Sequence, residues 1–513
     1  MKKFYITTPI YYVNDQPHIG HAYTTVISDS LARYFRLKLG GDNVWFLTGT
    51  DEHGAKVEQA AKKGGQDPQE FSDQVSAKFQ MTWDSLSISH NDFIRTTEKR
   101  HEDSVKKTLI KLKEQKTPKG NDVFFEKDYE GLYCIGCEAY LKEDELVDGL
   151  CPDHMKKPEL VKEKNWFFRL SDYEDILKEK VKKEKLLVKP EKRKNEVLGL
   201  LDQGLEDIAI SRTKVEWGIN VPWDEKQTVY VWVEALMNYI TALGYLSEDE
   251  KKMDKFWPAD LHIIGKDILK FHAVIWPALL LTLDLKIPNK IFAHGYFTID
   301  GQKMSKTLGN AIDPNDLIDK FGSEGARYLI ISQFPFGQDG DIKADLFEEK
   351  FNADLANGIG NLVSRILSMN EKYFNNIIPE ASKDDDVFEI KKIWKDFSSE
   401  FEQLKIFEAI KGINSLTQKI DKYIADNKPW EMAKEKGNEK QLAQVVYNLC
   451  EATRHLAWMI YSILPETSLK IFKKLNLQKE LQELKFEKAQ KWGLLESGNT
   501  IEKGEALFPR IEK

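Results

Sequence analysis

Phe4-Tyr5-Ile6-Thr7-Thr8, the turn residues Asn14-Asp15-Gln16-Pro17, the segment from Ala22 to Leu39, and Val44-Trp45-Phe46-Leu47-Thr48 together decide the fold class of this chain. The first and last are short runs of apolar, aromatic and β-branched residues, and the long segment carries Val26, Leu31, Tyr34 and Phe35 at helical spacing. Strand, turn, helix and strand in that order predict a βαβ unit of a parallel sheet, whose ligands sit at the carboxyl ends of the strands. Further along, residues 228–233, 261–265 and 291–294 are apolar runs that read as additional strands. Residues 115–224 differ in character, with a cysteine cluster and a lysine-rich stretch, and read as an insertion. Beyond residue 345 the chain is rich in Lys, Glu, Leu, Ile and Ala and predicts a helical bundle.

The chain has 513 residues, 41% hydrophobic and 31% charged, which is too long for one ordinary domain. Its net charge of −8 excludes a uniformly basic surface, so any polyanion must be met by a local patch. The longest apolar run, from Ala273 to Leu283, contains Pro277 and is well short of the ~20 residues that span a bilayer. Residues 1–12 lack the pattern of a signal peptide, and a cytoplasmic protein is expected. Three of the four cysteines cluster as Cys134-x-x-Cys137 and, after thirteen residues, Cys151-x-x-His154. Two close pairs of soft ligands joined by a short loop match the tetrahedral shell of a structural Zn²⁺; the alternative is three buried thiols beside a chance histidine. Cys450, alone in a helical context, reads as a core residue.

Pro17-His18-Ile19-Gly20-His21 stands where the first strand gives way to its helix. Two imidazoles three residues apart share a face of the first turn, beside backbone N–H groups and the positive end of the helix dipole, an arrangement suited to phosphate. Gly20 removes a Cβ that would obstruct a flat base. Alone, the pattern is equally a surface helix with two exposed histidines. Asp300-Gly301-Gln302-Lys303-Met304-Ser305-Lys306-Thr307 offers two lysines and two hydroxyls beside glycines, suited to charge developing on a leaving pyrophosphate, or merely a solvated basic turn.

As a pair, these segments resemble the HIGH and KMSKS signatures of class I aminoacyl-tRNA synthetases, with Thr307 where that family usually has serine. Three further segments, residues 7–21 followed by 48–54, residues 230–239 and residues 264–272, resemble the methionyl-tRNA synthetase family in particular. The resemblance implies a Rossmann-like α/β catalytic domain split by a zinc-knuckle insertion and followed by an all-α anticodon-binding bundle. The boundaries expected are 1–114 and 225–300 for the two catalytic halves, 115–224 for the insertion, 301–345 for the KMSKS loop and linking region, and 346–513 for the bundle. It also implies ligation of L-methionine to the methionine tRNA, initiation included, through methionyl-adenylate. His18, His21, Lys303 and Lys306 would be catalytic. Gly20, Lys266, Asp267, Met304 and Ser305 would join them around ATP. Pro9, Ile10, Tyr12, Asp51, Trp232, Ala235, Leu236, Tyr239, Ile268 and His272 would enclose methionine, with Asp51 on its ammonium group. Seen without the family, Trp232 and Tyr239 are plain core residues.

By the same resemblance Asn357, Asn361, Arg365, Pro429 and Trp430 would meet the anticodon, although residues at i, i+4 and i+8 alone describe a wet helix face. Arg212 is a weaker candidate near the reacting ends of substrate and tRNA. Residues 181–195 carry seven Lys or Arg against two Glu, either a phosphate-attracting patch or a solvated face. One structural Zn²⁺, and Mg²⁺ accompanying ATP, are the expected cofactors; methionine, ATP and tRNA are the expected partners, with no membrane and a monomeric chain. Homocysteine differs from methionine by one methyl, worth only ~1–3 kcal/mol, so some form of editing is expected. The insertion reads as too small for the large hydrolytic domain of the isoleucine, valine and leucine enzymes, and the resemblance implies cyclisation of activated homocysteine within the synthetic site. A cysteinyl-type sibling would draw zinc ligands from the catalytic sheet, and a non-catalytic tRNA-binding relative would be expected to have lost His21 or Lys306. Both residues are present.

Overall fold

The computed structural model describes residues 2–134, 139–141, 143–152, 155–299, 301–303 and 312–512. They form two compact units, one of residues 1–17, 45–83 and 90–295 and the other of residues 18–44, 84–89 and 296–513.

The first unit is built on a six-stranded sheet of β1 (Phe4–Tyr12), β2 (Val44–Asp51), β3 (Asp92–Arg95), β4 (Leu187–Lys189), β5 (Leu261–Gly265) and β6 (Lys290–His294). Its spatial order is β3-β2-β1-β5-β6-β4. β1 pairs in parallel with β5 through Ile6↔Leu261 and Thr7↔His262, and β5 with β6 from His262↔Ile291 to Gly265↔His294. Ile6, Leu47, Ile94, Ile263, Ile264, Ile291 and Ala293 are fully buried, as expected of a parallel sheet covered on both faces. Gly49 permits the close approach of β2 to β3, since a Cβ there would collide with the Ile94 carbonyl.

Two features depart from the sequence reading. Residues 228–233 are not a strand of this sheet: a strand, Asp224–Val229, pairs antiparallel with Ser211–Arg212 and Asn220–Val221, and the chain then turns into the helix Val231–Leu236. Val231, Val233, Ala235 and Leu236 are all buried, and a short run that is apolar on every side carries no period to separate strand from helix. Conversely β4, within the lysine-rich stretch, pairs with Lys290–Phe292 at the sheet edge; three residues are too few to show alternation. Elsewhere in residues 115–224, the strands Phe124–Cys134, Ala139–Leu141 and Glu159–Phe168 form an antiparallel layer completed by Ile208–Ala209.

The second unit combines the helix Ile19–Leu39 with the helices Pro314–Ile331, Asn361–Phe374, Ile390–Glu402, Ile406–Asn427, Glu439–Ile460 and Pro465–Lys474. In Ile406–Asn427 the buried positions Ile406, Ala409, Ile410, Ile413, Leu416, Ile420 and Ile424 trace one apolar stripe. The helix Ile19–Leu39 is tied in by charge. Asp29 is fully buried, 2.7 Å from Arg327 Nη2, and accepts from Arg33 Nε at 2.8 Å and from the Ser89 backbone at 2.7 Å. Arg327, also fully buried, donates to the carbonyls of Leu86 and Ile463. Burial pushes the Asp29 carboxyl up, but Arg327 and Arg33 outweigh it and hold the group well below the usual carboxylate range. Removing one member strands a buried charge, which costs ~3–5 kcal/mol. Arg327→Met is therefore expected to lower unfolding stability by that order, read from the midpoint of urea denaturation.

Candidate active site

β1 is flanked by β2 on one side and β5 on the other, so the chain leaves the sheet in opposite directions around it, which is where open α/β sheets place their ligands. A small cleft opens there, lined by Pro9 and Ile10 of β1, Asp51 at the end of β2, Trp232, Ala235, Leu236, Asn238 and Tyr239 of the helical segment, and His272 after β5. Eight of the ten residues expected to enclose methionine thus line one cleft. Tyr12 and Ile268 do not: the Tyr12 hydroxyl donates to the His53 carbonyl at 2.9 Å, and Ile268 packs against the surrounding core. Asn238 was not foreseen. Its Nδ2 donates to the Ala235 carbonyl at 2.7 Å, while its buried Oδ1 finds no partner among the described residues. A polar residue between the apolar residues 235–237 and 239–240 was the available signal.

Uncharged groups form the floor of the cleft. His272 lies in a π-helical turn, Phe271–Ile275, where Nδ1–H donates to the Ile268 carbonyl at 3.0 Å, so Nε2 accepts from the Tyr239 hydroxyl at 2.7 Å. Burial pulls the His272 pKa down to about 4, the Ile268 carbonyl opposing it only in part. Beneath Tyr239, His262 packs at a tilt, 4.2 Å between ring centroids, and meets Thr7 Oγ1 at 2.7 Å; burial holds it well below the ordinary imidazole value. Tyr239 is pushed up by burial and keeps its proton. Trp232 lies flat on Phe271, 4.0 Å between centroids, which fixes the indole wall. Neutral imidazoles, a phenol and an indole make a polarisable, uncharged lining with Asp51 at its edge. Such a cleft suits an ammonium-bearing molecule with a soft, uncharged side chain and rejects a charged one.

In the second unit, His18 caps the helix Ile19–Leu39. Its Nδ1 accepts from the Gly20 backbone at 3.0 Å, and His21 Nδ1 accepts from the His18 backbone at 3.3 Å, a capping box made of two histidines. Each ring proton therefore sits on Nε2, and the rings stack 3.7 Å apart. A Cβ on Gly20 would lie 2.8 Å from His18 Cε1, so the glycine makes room for the imidazole of its own motif. The strands Phe297–Ile299 and Gln302–Lys303 form a hairpin whose stem is held by Asp341, which accepts from Thr298 Oγ1 at 2.6 Å and the Gly301 backbone at 2.7 Å. Lys303 ends that strand, while Met304, Ser305, Lys306 and Thr307 lie outside the described residues.

Comparison with known proteins decides the family. A family model described as tRNA synthetases class I (M) matches residues 4–158 and 154–367. The methionine–tRNA ligase of Caldanaerobacter subterraneus subsp. tengcongensis is 42% identical over 516 residues, covering 100% of this chain and 79% of that protein. For the methionine–tRNA ligase of Streptomyces coelicolor the values are 40% over 539 residues, 100% and 97%. The chain belongs to the methionine–tRNA ligase family of class I synthetases. A solved structure of Mycobacterium tuberculosis methionyl-tRNA synthetase in complex with methionyl-adenylate matches with a TM-score of 0.92 and 34% identity, covering 99% of this chain and 100% of that one.

The remaining residues singled out by family resemblance are placed as follows. Lys266 and Asp267 open the helical stretch after β5, and the Asp267 carboxylate occupies the space where a Cβ on Gly265 would lie. Arg212 is buried, with its guanidinium 4.1 Å from the Tyr230 ring centre. Asn357 falls in a π-helical segment, Phe351–Gly360, and Asn361 and Arg365 in the helix that continues it. Asn357 and Asn361 are exposed, and Arg365 pairs with Asp421. Pro429 is buried and starts a short helix on which Trp430 is 42% exposed, so Trp430 is not a core residue. Cys134 and Cys151 are buried, Cys134 at the end of its strand, whereas Cys137 and His154 lie outside the described residues. Among the described residues no three potential ligands gather to hold a metal, and no helix is long and apolar enough to cross a membrane.

The histidine environments set a pH dependence. His272, His294 and His455 are each pulled by burial to about 4, below the 6.5 of a solvated imidazole. Below 6.5 the unfolded chain binds more protons than the folded one, so these groups destabilise the fold progressively as pH falls from 6.5 towards 4. Urea midpoints are expected to fall across that interval, and His272→Asn, which retains a neutral amide, to flatten the slope in part. A midpoint constant over the interval would contradict the assignment.

Proposed function

We propose that this chain is a methionine–tRNA ligase that activates L-methionine with ATP and transfers it to the methionine tRNA, at initiation as well as elongation. The observation that carries this reading is the uncharged cleft of Trp232, Tyr239 and His272 beside Asp51 in a chain of this family. The Mycobacterium tuberculosis relative, solved with methionyl-adenylate, supports activation as the first step.

In that step a carboxylate oxygen of methionine attacks the α-phosphorus of ATP, an anhydride bond forms, and pyrophosphate leaves with the electron pair. Asp51 would hold the ammonium group, and Trp232, Ala235, Leu236, Tyr239 and His272 the thioether. Sulfur against aromatic rings contributes ~0.3–1.5 kcal/mol per contact. The Nε2–H groups of His18 and His21, with Lys303 and Lys306, would stabilise the charge that spreads over the phosphates, and Gly20, Lys266, Asp267, Met304 and Ser305 would seat the nucleotide. ATP enters as its Mg²⁺ complex, the metal neutralising phosphate charge. In the second step a terminal ribose hydroxyl of tRNA attacks the activated carbonyl and AMP leaves. Positioning and electrostatics carry both steps without a side-chain nucleophile.

Asn357, Asn361, Arg365 and Trp430 would read the anticodon, the exposure of Asn357, Asn361 and Trp430 supporting this assignment, with Pro429 setting the start of the Trp430 helix. Cys134, Cys137, Cys151 and His154 would hold one structural Zn²⁺. The fit rests on the chemistry of the donor set and on the burial of the two described thiols. A cytoplasmic monomer is the corresponding cellular form.

ATP–pyrophosphate exchange with the twenty amino acids tested side by side is expected to respond to methionine; exchange with another amino acid, or none, would refute the assignment. Trp430→Ala is expected to lower aminoacylation of the methionine tRNA about tenfold or more while adenylate formation is retained. Metal analysis should find zinc in the purified chain and a loss of it in Cys134→Ser, with reduced thermal stability.

A further inference from the structure

The amino-acid cleft has a buried polar support. Glu234 faces away from the cleft on the helix that presents Trp232, Ala235 and Leu236 to it, and its carboxylate is fully buried between two imidazoles. His53 Nδ1 donates to Oε1 at 2.9 Å and His101 Nε2 donates to Oε2 at 2.9 Å. His101 Nδ1 is in turn 2.8 Å from Thr241 Oγ1. His53 lies two residues beyond Asp51 in a segment held from several directions. The Asp51 carbonyl accepts from the Val13 backbone at 3.1 Å, the Gly54 backbone donates to the Trp217 carbonyl at 3.0 Å, and Glu52 takes a bidentate contact from Arg95. Glu234 thus ties the end of β2 to the helix on the far wall of the cleft.

We propose that Glu234 is a positioning residue for methionine activation, holding the Asp51 carboxylate and the Trp232–Leu236 wall at the separation that fits the ammonium group and side chain of the substrate. This rests on reading the cleft as the methionine site. A carboxylate buried this deeply is tolerated only with both oxygens hydrogen-bonded and its charge met, and a support of that strength does more than fill space. Its effect falls on the amino acid, because neither Lys266 nor Asp267 touches it, and the nucleotide residues follow a different strand.

The charge state of the clamp gives a signature. Burial pulls the His53 pKa down, but Glu234, with smaller help from Glu102 and Glu52, outweighs this and raises it above the ordinary imidazole value. Burial likewise pushes Glu234 up and the two histidines bring it below the usual carboxylate value. The charged groups facing His53 are Glu234, Glu102 (4.0 Å from His53 Nε2) and Glu52, whose own charge is met by Arg95; His101 shares Glu234 from the other side. Since the His53 value is raised, the ion pair is complete at lower pH and is lost as pH rises through the folded pKa, and the clamp loosens in that direction.

The test is methionine-dependent ATP–pyrophosphate exchange on the full chain from about pH 6 to about pH 8.5, below the range where the substrate ammonium deprotonates. In the unaltered protein the methionine KM is expected to rise with pH while the ATP KM stays level. Glu234→Gln is expected to raise the methionine KM about tenfold or more, to leave the ATP KM within about twofold, and to remove the pH slope. A folded Glu234→Gln with unchanged methionine KM, or with kcat and both KM values lowered or raised together, overturns the proposal. Should that variant not fold, a methionine KM of the unaltered protein that is flat in pH overturns it. Absence of methionine-dependent exchange in the unaltered protein would instead refute the methionine reading itself.

Discussion

Everything at the cleft depends on the parallel pairing of β1 with β5, in which Thr7 stands opposite His262 although more than 250 residues separate them. Parallel neighbours require long connections, and here the connection carries β2, β3 and β4 of the same sheet. The pairing sets Pro9 and Ile10, in the C-terminal half of β1, beside His272, which follows β5, and the phenol of Tyr239 closes the space between. The Thr7–His262 hydrogen bond lies beneath that phenol. The substrate cleft therefore stands on a buried polar layer within the sheet, and the dryness of this layer keeps its histidines neutral.

The molecule uses buried ionisable groups in two opposite ways. Around Tyr239, imidazoles lacking an acidic partner are forced neutral, giving a lining that a thioether can share. Around Glu234 and Asp29, carboxylates are held below their usual range: His53 and His101 each donate to one oxygen of Glu234, while Arg327 and Arg33 both meet Asp29 Oδ2 and Ser89 donates to Oδ1. At the neutral sites, which line or underlie the cleft, a fixed charge would penalise an uncharged side chain. The charged sites are joints between elements distant in sequence. Asp29 and Arg327 link the helix that starts at the His18 cap with the helix Pro314–Ile331.

How far residues alone could be read differs by element. Ile19–Leu39 and the bundle helices were legible because their apolar positions recur along one face over several turns. Residues 228–233 were misread as strand because an apolar run buried on all sides has no polar face to report its period. The edge strand Leu187–Lys189 hid in a lysine-rich stretch for the opposite reason, being too short for any pattern. Within the site, aromatic and acidic residues were recognisable through family resemblance, whereas Asn238 and Glu234 were not, since a lone polar residue within an apolar helix has no sequence partner that explains it.

By itself the sequence determined the chemistry available: two histidines at a strand-to-helix turn, a lysine-rich loop, four residues with zinc-ligand spacing, and membership of a synthetase family. Local order and residue type suffice for these, because each motif is short and its parts are neighbours in the chain. Only the tertiary structure decided which histidines are neutral and which are paired, which helix forms the wall of the cleft, and that Gly20 accommodates the ring of His18. Those outcomes depend on burial and on partners brought from distant parts of the chain, and desolvation is a property of the packed site that no single stretch of sequence contains.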